Sequence, residues 1–390
     1  MIALKCRYLF DGADGELVEN GIVLVDGDRI AAAGPSDAVA VPPHADAIEL
    51  GEHTVLPGLI DAHTHLFQTG ETLIYSGETP AAGDLALQAC RNVRRDLCSG
   101  VTTMRVLGEQ DFNDVPVRRA IENGTVPGPR LLLATRAIHA TNGHGFGRGY
   151  DGPHEIRRAV RENLRAGADV IKMMATGSVD LRGGHFSQEY TREEMATVVE
   201  EAHRVGKRVA AHAIRPPEIA ACLETGVDTI EHGHMVDDRC IELLLEKDAW
   251  LVGTLAIVLD EHILAGDLEA NPKFADVEWL PRRRAAPTAY RRAIEAGVRY
   301  ASGTDAMHGA LPKELEDLVG IGIPESKALL SATRDAADAL DILPLTGTLE
   351  PCKQADVVAV RGNPLDDITA LRNVEVIMKS GRRYDHLSLE

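Results

Sequence analysis

Between about residue 55 and residue 308 the chain repeats one pattern: a short apolar, β-branched run, a polar turn, then a stretch with apolar positions at helical spacing. The runs are TVLPGLIDA, VTTMRVL, PRLLLAT, ADVIKMM, RVAAHA, VDTIEH, AWLVGT and VRYASGT. Between them the spacing predicts helices over residues 84–98, 153–166, 192–205, 217–224, 238–247 and 284–296. Strands each followed by a helix build parallel sheets, and no G-x-G-x-x-G turn follows the first run, which argues against an open dinucleotide-binding sheet. The expectation is an α/β chain folded as a closed (β/α)8 TIM barrel.

The two ends have a different texture. Residues 1–54 hold short alternating runs such as ENGIVLVDGDRIAAAG, with the Asp-Gly turns of hairpins, and residues 346–390 repeat it in GTLEPCKQADVVAVRGNP and NVEVIMKSGR. Because both ends bracket the barrel at 55–345, they are expected to join into one small, discontinuous β-sandwich. Residues 107–128, 136–152, 173–190 and 256–282 are long connections after strands, the loops from which such barrels build active sites. The Gly-rich pieces NGHGFGRG and ATGSVDLRGGHF are candidate loops over a ligand.

Composition narrows the partners. The 390 residues carry a net charge of −19, from 60 acidic and 41 basic side chains, which argues against a nucleic-acid groove. Six cysteines without a C-x-x-C pair suggest neither a zinc knuckle nor a disulfide framework, and fit a reducing compartment. The opening MIALKCRYLFDG lacks the apolar core of a signal peptide, and no run approaches the roughly 18 apolar residues of a membrane span. A cytoplasmic protein acting on a small molecule, with no nucleic-acid or membrane partner, is expected.

The ends of the eight runs collect chemistry: His63 and His65 after the first, Lys172 in the fourth, His212 in the fifth, His232 in the sixth and Asp305 after the eighth. In a barrel these ends share one mouth, and His63 and His65, two apart on a strand, face the same side. Neutral imidazoles and carboxylates are ligands for zinc and similar divalent ions. Any one of these histidines could equally be a hydrogen-bonded structural residue; six such residues in barrel order point to a metal site. An ammonium is no ligand, but a lysine held neutral by burial could add carbon dioxide to give a bridging carbamate, a step that spacing does not supply.

GLIDAHTH, VIKMMATG, AAHA, IEHG and SGTDAMHG, in that order, resemble the motifs of the amidohydrolase superfamily, and the GTLEPCKQADVVAV segment resembles its return to the sandwich. Within it the chain is most similar to the imidazolonepropionase-like, metal-dependent dipeptidase or prolidase branch, in which TNGHG and a strand-four lysine are characteristic. The resemblance implies two divalent ions, zinc by ligand type. His63, His65 and Asp305 would hold the more buried one and His212 and His232 the other, with carboxylated Lys172 and a hydroxide bridging them. It further implies Asp305 as proton shuttle, cleavage of a C–N amide bond in an Xaa-Pro-like dipeptide or N-acyl amino acid, and a homo-oligomer.

Substrate contacts are less determined. His139 and His144 lie where the family touches the scissile group, and Gly143 and Gly145 beside His144 allow close backbone approach. A substrate carboxylate suits an arginine fork, for which Arg105, Arg136, Arg148, Arg182 and Arg215 are candidates. Several prolidase-like relatives carry a tyrosine or histidine two beyond the strand-five histidine; here it is Ile214, which leaves room for a hydrophobic amide, carbamate, ester or lactone. His234 could touch substrate, and Met307 and His308 could line the mouth. A mononuclear cyclic-amidine hydrolase or deaminase typically lacks the lysine and has a glutamate near the strand-five histidine, whereas here the nearest downstream acid is Glu218, beyond two prolines. A non-catalytic scaffold of the same fold would bind no metal.

Overall fold

The computed structural model describes residues 1–68, 81–141, 143–145, 147–177, 188–263, 265, 280–385 and 387. Strands β1 (Ile2–Phe10), β2 (Leu17–Asp26), β3 (Arg29–Pro35), β4 (Asp46–Glu49) and β5 (His53–Pro57) open the chain. They join β14 (Val357–Arg361), β15 (Val374–Lys379) and β16 (Arg382–Arg383) near its end in one sheet of order β16-β15-β14-β5-β1-β2-β3, with β4 also on β1. In hydrogen-bonding terms the expected sandwich is a single eight-stranded sheet built from both ends. Alternation buries Leu4, Val23, Val25, Val55, Val357 and Met378 together on one side and Ala3, Ile22 and Leu24 on the other.

The run read as one strand, TVLPGLIDA, is two. Pro57 ends β5 against Val357, and Gly58 turns the chain into β6 (Leu59–Thr64), where a side chain on Gly58 would collide with Thr102. The terminal sheet therefore reaches Pro57, slightly past residue 54.

β6 begins the parallel part, followed by β7 (Val101–Val106), β8 (Arg130–Leu133), β9 (Ile171–Met174), β10 (Val209–Ala213), β11 (Thr229–His232), β12 (Trp250–Gly253) and β13 (Arg299–Ser302). They pair in sequence order as a three-stranded ladder β6-β7-β8 and a five-stranded ladder β9 to β13. Backbone bonds join the ladders at both margins. Ile138, beyond β8, bonds Lys172 O at 2.8 Å, and the amides of Thr304 and Asp305, beyond β13, both bond His63 O at 2.9 Å. At the second margin Gly303 is obligatory, since a Cβ there would stand 2.5 Å from that of His63.

Helices cover the strands: α1 (Ala82–Cys98), α2 (Asp114–Glu122), α3 (Gly152–Ala166), α4 (Arg192–His203), α5 (Pro216–Thr225), α6 (Asp238–Glu246), the short α7 (Leu255–Leu259) and α8 (Leu280–Glu295). All six expected helices are present. α2 lies in the connection 107–128 and buries only Val117 and Ile121 among its apolar side chains, too short an apolar repeat to stand out in sequence. α8 starts four residues earlier than the Arg-rich sequence suggested, with Pro281 in its first turn. No helix of the described residues is long and apolar enough to cross a membrane.

Candidate active site

His63, His232 and Asp305 present ligand atoms within 4.8 Å of one another. The backbone is bent to achieve this: His232 and Asp305 both adopt left-handed conformations, φ 69° and 49°. Such strain costs about 1–3 kcal/mol per residue and persists only where neighbours enforce it. Here Tyr290 Oη donates to His232 O at 2.5 Å, and His63 O takes the Asp305 amide.

Hydrogen bonds fix which ring nitrogens are bare. Glu231, buried beneath His63, is held at about 2: burial opposes ionisation, but Arg105 and His63 outweigh it. As a carboxylate it can only accept, so His63 Nδ1, 2.7 Å away, carries a proton, and in the neutral ring Nε2 is then the lone-pair nitrogen. His65 Nδ1 lies 3.0 Å from Gly108 O, which also only accepts, so its Nε2 is bare too. Both lone pairs face Asp305 Oδ1 at 3.4 Å, longer than the about 2.7–2.9 Å of a charge-assisted hydrogen bond. Acceptors facing acceptors with no proton between them fit a cation.

Around this pair the rings form a chain. His63 and His232 have centroids 4.6 Å apart, His232 and His212 4.6 Å, and His212 and His144 4.7 Å. Burial pushes His65, His212, His232 and His234 below the usual imidazole range, and burial together with Lys172 takes His144 down to about 3. These rings are neutral at pH 7, the form that ligates. Lys172, fully buried on β9, is pushed down to about 8 by burial, and its Nζ has no hydrogen-bond partner among the described residues.

The expected substrate contacts divide. His144 reaches the ring chain, its loop held by Glu189, whose carboxylate accepts the Ala140 amide at 3.0 Å and the His144 amide. His139 Nδ1 bonds Ala140 O at 2.9 Å, and its ring packs against Gly145. His234 stands behind His232, with centroids 5.4 Å apart. Three further candidates are placed as follows. Arg105 is buried among the parallel strands, its guanidinium bonding Glu231 at 2.8 Å, Thr229 at 3.2 Å and Ala62 O at 2.6 Å. Arg148 is 67% exposed and paired with Glu155, and Ile214 is fully buried. Arg136 pairs with Glu162 and Arg215 with Glu218, each within 3 Å, while Arg182 lies outside the described residues. His308 bonds Asp96 at 2.7 Å and Gln68 O at 3.0 Å, tying the loop after His65 to the one after Asp305.

Sequence reasoning missed Glu231, Thr254 and Arg282. Thr254 Oγ1 lies 2.9 Å from His232 Nδ1 and 3.2 Å from His234 Nε2, and Arg282 Nε donates to His234 Nδ1 at 2.9 Å. Glu231 had a signal, its place beside His232 in IEHG. Thr254 ends the seventh run and Arg282 lies in the connection after it, and neither had a further signal.

Comparison with known proteins agrees with this chemistry. Residues 54–384 match the Amidohydrolase family. Ochratoxinase of Aspergillus niger is 32% identical over 419 aligned residues, spanning 95% of this chain and 84% of that protein. A solved Xaa-Pro dipeptidase with methionine bound in its active site has a TM-score of 0.90 at 30% identity, covering 98% of this chain and 99% of the other. A prolidase complexed with N-methylphosphonate-L-proline gives 0.89 at 28% identity, with the same coverage.

Proposed function

The chain belongs to the amidohydrolase family and is a hydrolase of carbon–nitrogen bonds, and we propose that it cleaves the amide bond of a dipeptide or N-acyl amino acid at a two-metal centre. The eight parallel strands are read as a closed barrel, supported by the backbone bonds at both margins of the two ladders. His63, His65 and Asp305 would hold one divalent ion and His212 and His232 the second, with Lys172, carboxylated, between them. The observation that carries the reading is the pair of bare imidazole nitrogens facing one Asp305 oxygen at 3.4 Å. The buried Nζ of Lys172, with no hydrogen-bond partner among the described residues, supports the carbamate, which would give that position acceptor oxygens.

When bound, such ions supply Lewis acidity and a hydroxide nucleophile at neutral pH. The chain's own residues do the rest. Asp305, ionised and within reach of both imidazoles, accepts the proton released on attack and returns it to the leaving amine. His144, neutral and placed beside His212, donates to the developing oxyanion from its protonated nitrogen. The apolar barrel strands keep bulk water from these groups.

Related proteins support the substrate class: ochratoxinase, an Xaa-Pro dipeptidase and a prolidase share the fold or sequence over nearly the whole chain. The test is a screen of Xaa-Pro dipeptides, N-acyl amino acids, carbamates and lactones with metal-loaded protein, beside Asp305→Asn. Turnover of an amide that falls by about 10²–10⁴-fold in the variant is expected, the range typical of losing a general acid–base group. Equal turnover by both proteins would remove Asp305 from the mechanism.

A further inference from the structure

A second polar hollow lies at the ends where β9 and β10 begin, whereas His212 stands near the far end of β10. Leu132 of β8, Val170 ahead of β9, Lys207 and Arg208 ahead of β10 and residues 339–342 wall a cavity of about 140 Å³. That is roughly ten times what one water needs, and short of the about 300 Å³ of a drug-sized pocket. A small molecule of a few heavy atoms fits it.

Three cations border the cavity: Arg105, Lys207 and Arg208. Each keeps donors to offer. The bonds from buried Arg105 to Ala62 O, Thr229 and Glu231 leave one hydrogen on each terminal nitrogen without a partner among the described residues. Arg208 Nη1 donates to Asp338 O at 2.7 Å and Ala339 O at 2.8 Å, capping the helix Arg334–Ala339, while Nη2 reaches Asp341 only at 3.5 Å. The Lys207 ammonium has no hydrogen bond or ion pair among the described residues.

Two carboxylates share the wall and do not balance these charges. Asp169 already accepts from Arg118 at 2.7 Å and from the Leu133 amide at 2.9 Å. The Asp341 side chain is 72% exposed, and its 3.5 Å to Arg208 exceeds the about 2.7–2.9 Å of a charge-assisted bond. Burial pushes the Arg105 guanidinium down, Glu231 opposes this, and Arg208 adds to the fall, so the two guanidiniums repel. An anion between them relieves that repulsion. The rest of the wall is apolar, from Leu132, Val170, Leu340 and Ile342, so an occupant with a short hydrocarbon body covers more of it than an inorganic anion does.

We infer that this cavity binds a small aliphatic carboxylate, its charge held by Arg105, Lys207 and Arg208 and its chain packed on Leu132, Val170, Leu340 and Ile342. The site is separate from the metal chemistry and does not rest on the hydrolase reading. Arg105 joins the two, since it bonds Glu231, which bonds His63.

The test is calorimetry of butyrate, butyramide and sulfate with the zinc-loaded protein, in wild type, Lys207→Gln and Asp341→Asn, once metal content and thermal unfolding have been matched. Asparagine suits the left-handed backbone of residue 341, φ 61°, so the second variant keeps the fold. Wild type is expected to bind butyrate more tightly than butyramide or sulfate. Lys207→Gln should weaken butyrate about tenfold, the low end of a charged hydrogen bond. Asp341→Asn should tighten it by up to about fivefold, the range of an exposed charge pair. Butyrate should also raise the wild-type Tm, and raise that of Lys207→Gln less. Equal butyrate affinity in all three proteins would place the ligand elsewhere, at the histidines, and overturn the assignment. Absence of binding, or butyramide or sulfate bound as tightly as butyrate, would overturn it as well.

Discussion

His63 turns Nε2 to the site because its Nδ1–H donates to Glu231, and Glu231 is held ionised chiefly by Arg105, 2.8 Å away. The three form one unit, so Glu231→Gln is expected to act twice. Loosening an outer partner of a ligating histidine weakens metal affinity about 10–100-fold. Stranding the buried Arg105 charge lowers unfolding free energy by about 3–5 kcal/mol. Metal titration and urea unfolding read the two effects, and a variant with wild-type metal affinity would show that Glu231 does not set the His63 tautomer. The residues at strand ends were legible in sequence because parallel strands paired in sequence order set their ends side by side. Glu231 had only its place beside His232 to mark it, because strand alternation sends neighbours to opposite faces. The left-handed φ of His232 breaks that alternation, so Glu231 and His232 both turn toward His63.

Among elements, α3 and α4 are pinned by Glu201 on α4. Its side chain is 5% exposed and bonds Arg157 and Arg161 from α3 and Arg204 beyond α4, all within about 3 Å. Chiefly through Arg161, its carboxyl falls from 4.5 to about 2. A folded value below the unfolded one means stability fully present above 4.5 and lost as pH falls toward about 2. Glu201→Gln is therefore expected to be less stable than wild type at pH 7, by an amount reduced by salt. The gap in urea midpoint should close as pH drops through that window; a gap independent of pH would mean the arginines do not hold Glu201 ionised. Element positions were largely readable from periodicity, and the failures have local causes. α2 shows too few buried apolar positions, and the Arg-rich first turn of α8 masked its start, which is why Arg282 remained inside a connection.

Across the whole molecule the terminal sheet is continuous with the site. β5 passes through Gly58 into β6, the strand that ends at the two histidines, and Asp356 beside β14 joins the parts. Its carboxylate bonds Arg130, Thr346 and the Ser380 amide at 2.8–2.9 Å, and its carbonyl accepts the Gly58 amide at 2.9 Å. The like texture of the two ends was visible in sequence; that they would share one ladder was not, because pairing partners some 300 residues apart leave no local trace. The central claim is that this frame holds two ions that the amide cleavage needs, and stoichiometric metal reconstitution tests it most directly. Protein stripped by chelation and verified metal-free is titrated with zinc while bound metal and hydrolysis of an N-acyl amino acid are followed together. Turnover is expected to be absent at the start and to rise to a plateau at two equivalents per chain. Full turnover by the verified metal-free protein would contradict it.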